Sequence, residues 1–339
     1  MDCIRHGSVD RPVAAFISAF LTMLDQWLFH HARIAAGITA IVALFAAIAP
    51  PIAMSTQLVL LAGLVALLGL PHGAVDHWQG RALVQPHLGR AWWLVFGAGY
   101  AATALIVIVA WMASPPLLLV GFLILAAAHF GSEDVAARPA IHRANAPLRI
   151  IDAGVRGSLP VLLPIAFHPG ETAALFAALL PYTDSAQVEQ ALTPIAHASP
   201  VYIGALGALT ATALMRGDRV VGAEIIALGA VFATLPPLLA FAVYFCLWHS
   251  PRHSLFVIAD GEDQILSRGI VRFAAAAIPL TMLTIAAGAL AWFGLRDLFT
   301  DAEATLQVVF IGLAALTVPH VILPLLSRRL SPRYSGKVQ

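Results

Sequence analysis

The stretch "TQLVLLAGLVALLGLPHGAVDHW", Thr56–Trp78, decides the class of fold. Between Leu58 and Leu70 it contains no polar side chain. About 20 mostly apolar residues suffice for a helix to cross a bilayer. Its far end then places His72, Asp76 and His77 where leucines would be at ease. Ionisable groups at membrane depth cost free energy unless they face the bundle interior and meet a partner. The stretch therefore predicts a spanning helix and something for its polar end to bind.

Working outward, the whole chain has the same character. It has 339 residues, of which 60% are hydrophobic and 11% charged, with a mean hydropathy of +0.86. That composition excludes an ordinary soluble domain. The reading is an all-α, polytopic transmembrane helix bundle. Ten candidate segments occur, at 33–53, 56–78, 92–113, 116–132, 149–168, 195–215, 220–235, 237–258, 271–294 and 304–326. The fifth is interrupted by Pro160 and Pro164, and the seventh and eighth meet at Pro236 and Pro237, so eight to ten spans are expected. Residues 169–194 carry several prolines and predict an interfacial helix and loop. The expected organisation is an amphipathic N-terminal segment over 1–32, a transmembrane bundle over 33–330 and a cytoplasmic tail over 331–339.

Orientation follows from the cations. With a cytoplasmic N-terminus, 17 of the 19 Lys and Arg residues fall on the inner side, leaving Arg296 outside and Arg156 within a helix. Arg156 is expected to snorkel toward the inner face. Both termini are expected in the cytoplasm, in a multi-pass protein surrounded by membrane lipid. Cys3 and Cys246 show no pairing pattern, and no nucleic-acid partner is expected.

In that topology His72, His129, His249, His253 and His320 lie near the inner ends of four helices, at one depth. In "HSPRH" His249 and His253 are i and i+4, the spacing that lets two imidazoles hold one ion. His72 with Asp76, and His129 with Glu133 in "HFGSED", share that spacing, so each carboxylate is placed either to accept the ring N–H of the histidine one turn away or, like Asp134, to stand as a solvated interfacial acid. Asp134, His77 and His320 are further candidates for supporting the ligands. Pro251 interrupts the helix between the two histidines of the third motif. His6, His30, His31, His87, His142, His168 and His197 are assigned no role. Imidazole ligation suits iron, copper, zinc or nickel, and residue types do not choose among them. A divalent ion on neutral imidazoles keeps its charge, which suits oxygen activation beside an apolar substrate drawn from the bilayer.

The motifs "PHGAVDHW", "HFGSED", "HSPRH" and "TVPHVIL" resemble those of the Brp/Blh family of bacterial and archaeal β-carotene 15,15′-dioxygenases, over about 56–326. The resemblance implies a non-haem Fe(II) centre held by His72, His129, His249 and His253. It implies O2 addition across the central double bond of β-carotene and scission to two all-trans-retinal molecules. It also implies a bacterial inner membrane and a retinal acceptor such as a microbial rhodopsin. Trp78, Phe130, Tyr244, Phe245 and Trp248 flank the ligand positions and are candidates to line the polyene, with ordinary packing the favoured alternative for each alone. Two other classes fit the same residues. One is a membrane di-iron hydroxylase or desaturase acting on a lipid or carotenoid. The other is a non-enzymatic protein, either a transporter or a carotenoid- or haem-binding membrane protein. The iron count per chain separates the first, and failure to cleave β-carotene favours the second.

Overall fold

The computed structural model describes residues 11–137, 146–260 and 265–330; Arg138, Arg143, His6, His142, Cys3 and the expected tail lie outside them. Among the described residues there is no strand. The chain runs α1 (Arg11–Ala46), α2 (Met54–Leu64), a first π-helical segment (Val65–Gly69), α3 (Leu70–Ala74), α4 (Asp76–Leu88) and α5 (Trp92–Ala113). It continues with α6 (Pro115–Ala136), α7 (Ala146–Gly157), α8 (Leu159–Phe167), α9 (Pro169–Ala177) and α10 (Ser185–Met215). Then follow α11 (Arg219–Thr234), α12 (Pro237–Val243), a second π-helical segment (Tyr244–His249), α13 (Ser250–Ala259), α14 (Leu266–Leu295) and α15 (Asp301–Leu330).

Among the described residues, six helical stretches are long and apolar enough to cross a membrane, or seven when α7 and α8, bent by 49°, count as one span. One stretch, Met54–Ala113, is 60 residues long. Straight, it would measure about 90 Å, roughly three hydrocarbon thicknesses. It breaks at Val75 and again at Gly89, whose φ of 53° suits glycine. Its two expected halves, 56–78 and 92–113, lie on either side of these breaks; counting them separately turns seven into eight. The outward faces carry large exposed apolar side chains such as Ile41, Leu44, Met112 and Leu290, the surface a lipid-facing helix presents.

The expected boundary at 32/33 falls inside α1, which is continuous from Arg11 to Ala46. Its buried positions, Leu24, Leu28, Ala32, Ala35, Thr39 and Ala43, recur every three or four residues and form one stripe against the bundle. Between 169 and 194 the chain forms α9, then a turn, and α10 starts earlier than expected, at Ser185. The Asp184 side chain caps it by accepting the N–H of Gln187 at 2.8 Å.

Two local devices set the helices that carry the histidines. A Cβ on Gly131 would collide with the Ala153 carbonyl of α7, and one on Gly157 with the Ala127 carbonyl of α6. These small residues, four apart on each helix, bring the backbones together and fix the rotation of α6. The second device is the pair of π segments, which precede His72 and contain His249 and which contact each other. Ser250 Oγ donates to the Leu68 carbonyl and ties them. Pro251 has no N–H for the carbonyl of Leu247, four residues back. His31 Nε2 lies 2.9 Å from that oxygen and donates to it. The proline break is thus accommodated by a histidine from α1, as broken helices in membranes require.

Candidate metal centre

His72 enters from α3, His129 from α6, His249 from the end of the second π segment, His253 from α13 and His320 from α15. All but His129 are buried outright, with His249 at 1% exposure. Their rings meet. His72 lies 5.3 Å from His249, His253 and His320, measured between ring centroids. His129 lies 4.9 Å from His249 and 5.1 Å from His320, and His253 lies 4.9 Å from His320. Most neighbouring rings are edge to face. His129, Glu133 and His249 also bring one ligand atom each within 4.8 Å of one another, a group able to hold a metal ion.

The hydrogen bonds point the same way. His72 Nδ1 faces the Gly69 carbonyl, His253 Nδ1 lies 2.8 Å from Glu133 Oε1, and His320 Nδ1 lies 2.9 Å from both oxygens of Asp76. A ring whose Nδ1 donates outward keeps the lone pair of Nε2 for an ion. His129 Nε2, both nitrogens of His249 and Glu133 Oε2 are buried with no hydrogen-bond partner. Leaving buried polar atoms unpaired costs about 1–3 kcal/mol each, so a cluster of them calls for a ligand. The donor set, imidazoles with a nearby carboxylate, suits a first-row transition ion.

The carboxylates do not pair as their spacing suggested. Asp76 bonds His320 of α15 rather than His72, because α3 ends at Ala74 and Val75 (φ −92°, ψ 3°) breaks the helical turn between them. Glu133 reaches across to His253 of α13. Asp134 belongs to a different cluster. It accepts from Arg252 Nη1 at 2.7 Å and from the Tyr244 hydroxyl at 3.3 Å. Arg252 also forks onto Glu224 at 2.9 and 2.7 Å, and Glu224 accepts from Arg156 at 3.3 Å. Arg156 further donates to Asp152 at 3.2 Å. Arg156 therefore does not snorkel: it is 2% exposed and ion-paired on both sides. Glu224, Asp152 and Tyr100 went unread in the sequence. Tyr100, whose hydroxyl donates to Asp76 Oδ2 at 2.9 Å, sits in an apolar helix with no local signal at all.

The candidate polyene-lining residues divide. Phe130 and Phe245 have ring centroids 4.6 and 5.7 Å from His249, and Phe241 stacks on Phe245 at 5.5 Å. Tyr244 turns to Asp134, and Trp248 Nε1 donates to Thr39 Oγ1 at 2.9 Å beneath the Arg252 guanidinium. Trp78 packs near Val75 and Phe273 under Arg272, with His77 beside it. A cavity of about 430 Å³ reaches Arg252 and Glu224, and none of the five clustered histidines lines it.

A family profile described as beta-carotene 15,15′-dioxygenase matches residues 63–326. A probable beta-carotene 15,15′-dioxygenase of Halobacterium salinarum is 28% identical over 284 residues, 75% of this chain and 79% of the relative. A beta-carotene 15,15′-dioxygenase from an uncultured marine bacterium is 31% identical over 267 residues, 77% of this chain and 90% of the relative. No solved structure matches.

Proposed function

We propose the function that follows from one established premise: the chain belongs to the β-carotene 15,15′-dioxygenase family. It is a multi-pass membrane oxygenase that cleaves β-carotene at the central double bond to two molecules of retinal. The observation that carries this reading to the residues is the buried histidine cluster with unpartnered ring nitrogens inside an apolar bundle.

His72, His129, His249 and His253 are the residues that would hold Fe(II). Bound there, iron supplies the binding and activation of O2. The chain's own tasks are then orientation and exclusion. The Gly69 carbonyl and Glu133 hold the rings of His72 and His253 by their outer nitrogens, so their inner nitrogens stay free of protons. Neutral imidazoles do not cancel the charge of a divalent ion. Phe130, Phe245 and Phe241 form an apolar aromatic wall beside His249, fit for a conjugated hydrocarbon that arrives from the bilayer. The overall change inserts both atoms of O2 into one C=C bond to give two C=O groups. No proton or outside electron is consumed, so the overall change requires no residue to act as general base or nucleophile. The lipid is a bacterial inner membrane, and a retinal-binding partner such as a microbial rhodopsin is a suitable acceptor.

Expression of the full chain in a β-carotene-producing bacterium tests the reading. Loss of orange colour with retinal accumulating is expected. Unchanged pigment, with the protein present in the membrane, would turn the argument toward a carotenoid-binding protein. Two tightly held irons per chain would favour the di-iron alternative.

A further inference from the structure

His320 stands apart from the four ligand positions in the sequence, near the end of the last long helix and without a second histidine beside it. In the structure its ring packs among theirs, beside the group of His129, Glu133 and His249 whose ligand atoms lie within 4.8 Å of one another. Taken in order, His72, His249, His129 and His320 close a square of rings with sides of 5.3, 4.9, 5.1 and 5.3 Å. Each ring stands nearly perpendicular to the next, at 87°, 76°, 85° and 89°. His253 lies against the edge that His72 and His320 form.

The hydrogen bonding of His320 is that of a ligand. A residue that merely supported a neighbouring ligand would direct a ring nitrogen at that ligand. The hydrogen bond of His320 runs instead to Asp76, where Nδ1 sits 2.9 Å from both carboxylate oxygens. Asp76 is in turn held by the Tyr100 hydroxyl at 2.9 Å, and Tyr100 also reaches the Leu316 carbonyl of α15. An Nδ1 between two carboxylate oxygens carries the proton, so the lone pair is on Nε2. His253 Nδ1 likewise meets a carboxylate, but through one oxygen, Glu133 Oε1 at 2.8 Å.

We propose that His320 is a fifth imidazole ligand of the metal ion, and that Asp76 and Tyr100 are positioning residues acting through it. The proposal rests on the metal reading given above and deepens it. On a six-coordinate ion it leaves one open position where four histidines would leave two.

The test uses the purified full-length protein in detergent, stripped with chelator and loaded anaerobically with Fe(II) or, separately, with Co(II). Metal per chain, metal affinity and the visible Co(II) spectrum are measured for wild type, His320→Ala, Asp76→Asn and the double variant. Wild type is expected to hold one ion. His320→Ala should lower the affinity and shift the Co(II) bands to the stronger absorption of a lower coordination number, and added imidazole should reverse the shift. Asp76→Asn should weaken binding by about 10- to 100-fold. In the His320→Ala background it should add nothing further, because Asp76 acts through that ring. Tyr100→Phe should shift affinity in the same direction by less. Should His320→Ala fail to purify, Asp76→Asn, which keeps the ring, and His320→Gln carry the comparison. Wild-type affinity and an unchanged Co(II) spectrum in the His320 variants, with one ion in wild type, would overturn this proposal alone. A wild-type chain that takes up no ion would overturn the metal reading beneath it as well.

Discussion

The third histidine motif builds two buried polar clusters that differ in kind. His249 and His253 join the imidazole cluster, whereas Arg252, between them, joins Asp134, Glu224, Arg156 and Asp152. Both clusters are buried in the same bundle. The ion network is closed: among the described residues none of its buried atoms lacks a partner, and Arg252 is forked between two acids. The imidazole cluster is open, with His129 Nε2, both His249 nitrogens and Glu133 Oε2 unpaired. Closed networks hold a fold together, whereas an open one reserves its atoms for something else. Helix rotation at the second π segment decides which side chain of the motif goes to which cluster.

The largest effect is expected at His249. His249→Ala is expected to abolish both metal retention and retinal formation, measured as metal per chain and by chromatography of pigment extracts. Wild-type turnover in that variant would mean that the open cluster is ordinary packing. On the closed side, Glu224→Gln strips two arginines of their shared carboxylate charge and is expected to destabilise the protein by about 3–5 kcal/mol. The thermal midpoint in detergent should fall while metal per folded chain is unchanged. Folded protein that had lost its metal would show that the two clusters are not separable.

A smaller effect sharpens the account of how α6 presents His129. Gly157→Ala puts a methyl group against the Ala127 carbonyl. Overpacking typically costs about 1–3 kcal/mol, and the atoms met here are backbone, so the cost lies at or above the top of that range. Metal affinity should fall with it, and stability lost at constant affinity would show that His129 does not depend on the α6–α7 contact. The smallest effect is expected for Thr39→Val, which removes the acceptor of Trp248 Nε1. One hydrogen bond is worth about 1 kcal/mol net. Retinal formation should be unaffected. A changed KM for β-carotene would place Trp248 against the substrate, as its position beside His249 first suggested.

Much of this protein was legible in its sequence. The apolar runs dictated a membrane bundle because backbone groups in hydrocarbon must be satisfied within helices. The bend at the fifth segment was marked by its prolines. The four histidines of the first three motifs were readable because groups that are expensive in lipid stand out against leucine and valine, and the structure brings all four together.

Tertiary structure decided the rest. Spacing of i and i+4 paired Asp76 with His72 and Glu133 with His129, yet the break at Val75 and the packing of α13 on its neighbours sent those carboxylates to His320 and His253. Tyr100 gave no local signal, and Glu224, a lone charge in the apolar segment 220–235, gave no sign of its partners, which lie far away in the chain. Sequence periodicity specifies which residues share a helix face, but not which face of which other helix it meets. That second choice belongs to close contacts such as Gly131 on Ala153 and to the two π segments, and with them lies the distinction between a histidine that packs and one that can hold an ion.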